Sequence, residues 1–182
     1  MYIMRVGGLF VYFTLKPFKL MHCDNTTIMS FLIFLNQFDV RNVYLEPPAS
    51  HDVKMSRLIY STPRITLNNI GFAMHLVPTK VIQHYKDEWS MHFDAGHPVN
   101  AGIIEQFRRI ESDIINKFMH PGLAGKRHCI YANTLTDGCI KTDNEADVPP
   151  GPPSADVQFI LYVIGIWETP TEFGIACRFA KW

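Results

Sequence analysis

Residues Val157 to Trp167 read Val-Gln-Phe-Ile-Leu-Tyr-Val-Ile-Gly-Ile-Trp, and this run constrains the fold more than any other segment. β-branched and aromatic residues dominate it, which is the composition of a strand. At period two, Val157, Phe159, Leu161, Val163 and Trp167 fall on one side, while Ile160, Tyr162, Ile164 and Ile166 fall on the other. A strand apolar on both faces belongs at the centre of a barrel or sandwich, covered above and below. Glu168-Thr169-Pro170-Thr171-Glu172 then supplies a turn, and Phe173 to Trp182 returns as the second arm of a hairpin inside the sheet. A chain of 182 residues is long enough for one such core, burying roughly two-thirds of its unfolded surface. We expect a single globular domain over residues 21–182. Residues 1–20 could be an N-terminal extension of a module that begins at Met21.

The rest of the chain fits around that hairpin. Residues 28–36 and 40–46 are short Ile/Phe/Val/Tyr-rich segments that resemble strands joined by a tight connection. From Arg57 to Leu76 the alternation continues on either side of Asn68-Asn69, a hairpin turn signal because Asn tolerates positive φ. Residues 80–93 read as another hairpin, with Lys86-Asp87-Glu88 at its tip. Ile103, Ile104, Phe107, Ile110, Ile114, Ile115 and Phe118 share one broad face at helical spacing, so 101–118 is the one substantial helix. Asn100 suits its N-cap, Val99 could staple against Ile104, and His120-Pro121-Gly122 stops it. Strands over Cys129–Leu135 and Cys139–Thr142 should flank Asp137-Gly138. Residues 143–156 form an acidic, proline-rich loop with few apolar side chains to hold it down, so we expect it to be mobile. The sum is a β-rich α+β fold: a partly open oligonucleotide-binding-like barrel, or a sandwich, with one main inserted helix.

No residue pattern names a reaction. Asp94 and His97 could be drawn into acid/base roles, but no nucleophile or oxyanion motif accompanies them, and Gly7-Gly8 lacks a phosphate-loop continuation. His84, His92 and His97 lie near one another, and His128-Cys129 could join Cys139, yet none has a recognised metal-ligand spacing. We therefore expect no catalytic centre, metal or cofactor. Cys23, Cys129, Cys139 and Cys177 are scattered, which argues against a disulfide framework and for a reducing, intracellular compartment, the nucleus included. Apolar runs at Leu9–Leu15 and Phe31–Leu35 are far shorter than the roughly 20 residues of a membrane-spanning helix, so no membrane partner is expected.

Seventeen basic residues balance seventeen acidic ones, so attraction to a polyanion has to come from local clustering. Basic and aromatic residues do interleave: Arg57 with Tyr60 and Arg64, Tyr85 with Lys86 and Trp89, Lys126 and Arg127 with Tyr131, and Arg178 with Lys181 and Trp182. Proteins that hold single strands combine such cationic tracks with rings on which bases stack, each base contributing about 1–3 kcal/mol. The candidate nucleic-acid contacts are thus Arg57, Tyr60, Arg64, Tyr85, Lys86, Trp89, Lys126, Arg127, Tyr131 and Arg178.

The segments Arg57-Leu58-Ile59-Tyr60-Ser61-Thr62, Thr66-Leu67-Asn68-Asn69-Ile70, Arg109-Ile110-Glu111 with Ile114-Ile115-Asn116-Lys117, and Gly165-Ile166-Trp167-Glu168-Thr169 with Phe173-Gly174-Ile175 resemble small single-stranded-DNA-binding-type proteins of DNA viruses and Maverick/Polinton-like elements. The resemblance implies a replication-associated protein that coats displaced single-stranded DNA on an oligonucleotide-binding-like fold. The alternative is a viral structural or assembly protein with a β-sandwich fold, for which self-association through exposed strands would be expected. Homo-oligomers fit either reading. Glu111 is a separate case: it falls within the apolar arc of the helix, where a carboxylate has to find an Arg or backbone donor.

Overall fold

The computed structural model describes residues 2–6, 9–17, 27–30, 32–47, 54–84, 89–142 and 159–181. The segment 143–156, expected to be mobile, lies outside the described residues, as do Tyr85 and Lys86. Strands make up 47% of the structure, which makes this a β-rich α+β fold; its sheets are open and do not close into a barrel.

Strands β1 (Tyr2–Val6), β2 (Leu9–Pro17) and β3 (Thr27–Ser30) form a small antiparallel sheet in that order. After β4 (Leu32–Ile33), two 3-10 turns lead to β5 (Val43–Leu45), β6 (Lys54–Ser61), β7 (Thr66–Asn68) and β8 (Ile70–Met74). Strands β9 (Pro78–Gln83) and β10 (Trp89–Phe93) form the hairpin expected over 80–93. Helix α1 (Pro98–Phe118) follows, then β11 (Arg127–Cys129), the short α2 (Ala132–Leu135), β12 (Cys139–Thr142), β13 (Phe159–Glu168) and β14 (Glu172–Lys181). Among the described residues no helix is long and apolar enough to cross a membrane.

The C-terminal hairpin organises the molecule. β14 pairs along the whole of β13 on one edge; on the other, β8 takes Phe159–Val163 and β6 takes Gly165–Glu168. The central placement inferred from the two apolar faces therefore holds. Two strands can share one edge because β13 is bulged between Val163 and Gly165. The extra residue also turns the following side chains over, since a shift of one residue exchanges faces. Strict alternation put Trp167 with Phe159 and Ile166 with Ile160; past the bulge it is Ile166 that joins the main core, 6% exposed, and Trp167 that turns outward.

Phe72, Leu161 and Phe179 stand in register on the inner face of this sheet, beside Met74 with Phe159 and Ile70 with Val163. All are buried. Helix α1 covers this face: Phe107 meets Phe72 edge-on at 6.4 Å, and Ile104, Ile110, Ile114 and Ile115 are buried with it. Each such side chain contributes about 1.5–3 kcal/mol by leaving water. Met91, Phe93 and Ile140, from the second sheet of order β12-β10-β9, enter the same core.

The strands expected over 28–36 and 40–46 shorten to β3, β4 and β5, because Leu35–Gln37 and Val40–Asn42 are 3-10 turns, and three further local expectations change. Asn69 does take positive φ, 73°, but β7 and β8 do not pair with each other: β7 pairs with β6 and β8 with β13, so the left-handed residue passes the chain between partners. Asn100 does not cap the helix. Pro98 opens it, and the buried Asn100 amide instead accepts from Val77 N at 2.7 Å and donates to the carbonyls of Val77 and Asp94; Val99 is 48% exposed and is no staple. Finally, Cys129–Leu135 is not one strand. It splits into β11, parallel to β14, and α2, because the carboxylate of Glu111 gathers the amides at residues 131 and 132 into a helical turn.

Candidate nucleic-acid interface

Directly paired residues of neighbouring strands share a face, and that rule assembles the outer side of the large sheet. Tyr162 stands opposite Arg178, Gly165 opposite Arg57, Trp167 opposite both Met55 and Gly174, and Ile59 opposite Tyr44 and Asn68. One end of this face is closed by a small cluster of Leu32, Ala73 and Ile160, with Tyr162 packed against it. The other end is open. There the guanidinium of Arg178 lies 5.3 Å from the centroid of the Tyr162 ring, an arrangement in which the ring face attracts the cation. Trp167 lies across β14, its indole N–H donating to Ile175 O at 3.3 Å; a Cβ at Gly174 would come within 3.2 Å of the ring, so only glycine lets the indole sit this close.

A groove of about 400 Å³ runs over this face between Arg57 and Arg178, with Ile59 and Ile164 in its floor and Glu46, Asn68 and Asn69 along its walls. Ile164, the residue at the bulge, is part of its lining. Gly165 faces Ser56 so closely that a Cβ there would meet the Ser56 carbonyl oxygen at 2.2 Å, and the strand could not otherwise lie flat against β6. Both arginines are exposed, and neither has a carboxylate partner among the described residues.

Four other cations contrast with this pair. Lys126 donates to Glu168 Oε1 at 2.5 Å and to Thr169 O at 2.8 Å, and holds the Glu168 carboxyl below its ordinary pKa. Arg127 is paired with Glu172, and Arg41 with Asp39. Lys117 donates to the carbonyls of Val40, Arg41 and Val43, tying the end of α1 to the 3-10 turn. Those side chains are engaged in holding the fold together.

The ten expected contacts therefore separate. Arg57 and Arg178 come together in the groove, and Arg64 is exposed on the turn between β6 and β7. Tyr60 is not a surface ring: it is 3% exposed, 5.9 Å from Phe38, with Asn42 Nδ2 donating to its hydroxyl at 3.4 Å. Trp89 is 6% exposed and belongs to the interior. Tyr131 packs edge-on against Phe107 at 6.3 Å, and burial drives its phenol pKa far up. Lys126 and Arg127 are held in ion pairs. Tyr85 and Lys86 lie outside the described residues. Period-two alternation told which residues share a face but not which face is covered, and every ring chosen in β6 and β10 was on the covered one.

The rings on the open face are the half-buried Tyr162 and Trp167, neither of them among the residues expected to contact a strand; Tyr44, 53% exposed on the edge strand β5, has its ring 5.3 Å from Lys117 Nζ. Tyr162 had no clean signal, because counting the hairpin back from its turn pairs it with Phe179 and only the bulge brings it opposite Arg178. For Trp167 the bulge hid it.

Below the sheet, Glu111 is 1% exposed and accepts from Tyr131 N at 2.7 Å and Ala132 N at 2.9 Å. The expected backbone donors are there. Burial outweighs those bonds and holds its carboxyl above the ordinary value, while His128, 3.8 Å away and stacked on Phe173 at 5.0 Å, pulls it down. Cys177, nearby in the same core, has its thiol pushed well up by burial, which makes it a poor nucleophile. Among the described residues, no three His, Cys, Asp or Glu side chains converge as a metal site. No protein-family model, curated protein or solved structure matches the chain.

Proposed function

We propose that this chain binds single-stranded nucleic acid, DNA first, across the outer face of its large sheet, in the replication setting that the sequence resemblance implies. The observation that carries this reading is the pair of guanidiniums without a carboxylate partner among the described residues, Arg57 and Arg178, lining one groove beside the half-buried rings of Tyr162 and Trp167. A protein with no net charge attracts a polyanion only where cations are left free. A sheet face that presents arginines and rings together is what single-strand binders offer a strand.

The test is a titration of fluorescent oligo-dT against a duplex of equal length at low and moderate salt, with the protein's own mass followed by light scattering. Binding to the single strand that weakens as salt rises supports the reading. No preference for single strands at low salt overturns it, and self-association without strand affinity favours a structural or assembly protein instead.

A further inference from the structure

The groove holds more than cations. Two guanidiniums, one carboxylate, two amides and an apolar floor of Ile59 and Ile164 converge on about 400 Å³, within the volume range of sites that hold small molecules. A purely sequence-tolerant strand channel needs charge and rings, and a carboxylate in it only repels phosphate. Glu46 is exposed there and has no cation paired with it among the described residues. Its backbone N–H donates to Arg57 O at 2.9 Å, which fixes the residue beside the arginine without using its side chain.

The base that satisfies such a set follows from donors and acceptors. A guanidinium offers a fork of donors and suits two neighbouring acceptors; a carboxylate is an acceptor only and suits two neighbouring donors. Guanine carries both patterns: O6 and N7 accept side by side on one edge, and N1–H and the N2 amine donate side by side on another. Adenine and cytosine set an acceptor beside their amine and thymine has one donor flanked by carbonyls, so each offers a carboxylate a single donor and none gives the two-pronged contact. Asn68 and Asn69 can donate or accept and do not discriminate.

We propose that the groove is a guanine-selective subsite in which Glu46 accepts from N1–H and N2 while Arg57 or Arg178 donates to O6 and N7. This rests on the strand-binding reading above, and adds a base preference at one position of the bound strand.

A short oligo-dT host carrying one central guest base tests it, by anisotropy at fixed low salt. The guanine guest should bind about tenfold tighter than thymine, adenine or cytosine, the discrimination of one good two-pronged contact. Inosine, which lacks the N2 amine, should lose most of that gain. Glu46→Gln should abolish the preference, bringing the guanine guest to the affinity of the other three, with melting temperature showing that the exposed substitution leaves the fold intact. Four guests of equal affinity would overturn the subsite and leave strand binding standing. No affinity for any strand overturns both. Competition by free GMP, without preference for the guanine guest, would assign the groove to a mononucleotide and overturn recognition within a strand.

Discussion

Glu111 shows how one buried carboxylate can be read through to a measurement. Its oxygens hold two backbone N–H groups, and removing it strands both, at about 1–3 kcal/mol for each orphaned donor. Glu111→Ala should therefore lower the unfolding free energy by that order in urea denaturation. The pH dependence has a definite sign. Burial raises the folded pKa above the ordinary 4.5, so the folded state holds the proton more tightly than the unfolded chain. Stability from this group is complete below that ordinary value and is lost as pH rises through the raised one. His128 and Arg108, which favour the charged form, temper the loss; Cys177 and Tyr131, both neutral across this range, do not oppose it. Wild-type stability should fall across this window and the alanine variant should not follow. Trp89 is the second residue-scale test. As an interior side chain its truncation to alanine should cost about 3–5 kcal/mol of stability, with the folded fraction keeping its strand affinity. The need of Glu111 for a donor was legible because a carboxylate on an apolar arc has few options. The burial of Tyr60 and Trp89 was not, because a ring beside a basic residue looks the same in sequence whether it packs inward or outward.

At the scale of elements, the hairpin of β13 and β14 and the helix α1 were legible because each repeats one period over ten or more residues. Irregularities were not. The bulge at Val163/Gly165 leaves only the isolated Gly165 as its trace in the sequence, yet it exchanges the faces of Ile166 and Trp167, with β8 and β6 meeting the other edge of β13 on either side of it. Gly165→Ala tests this directly. With a Cβ meeting the Ser56 carbonyl oxygen at 2.2 Å, β6 has to move away from β13. Stability should fall by about 1–3 kcal/mol or more, and hydrogen exchange should quicken in β6 ahead of β14. Uniform protection across the sheet in that variant would mean that the close approach is not what joins the two strands. The split of Cys129–Leu135 into β11 and α2 was hidden for a similar reason, since its cause is a side chain about twenty residues earlier, on α1.

At the scale of the whole molecule, the balanced charge of seventeen against seventeen is distributed unevenly in use. Lys126, Arg127, Lys117 and Arg41 are consumed within the fold; Arg64, Lys80 and Lys141 are exposed outside any ion pair among the described residues, and Arg57 and Arg178 are the two cations that line one groove. A strand bound there should release counterions in proportion to the phosphates those two side chains meet. The most direct measurement is the dependence of oligo-dT affinity on salt, for the wild type and for the double variant Arg57→Ala/Arg178→Ala. Each phosphate contact to a single strand contributes about 0.7 to the slope of log affinity against log salt, so losing two should flatten it by about 1.4. That flattening is expected together with weaker binding at low salt and an unchanged melting temperature; a double variant that keeps the wild-type slope and affinity would contradict strand binding in this groove and move the surface elsewhere.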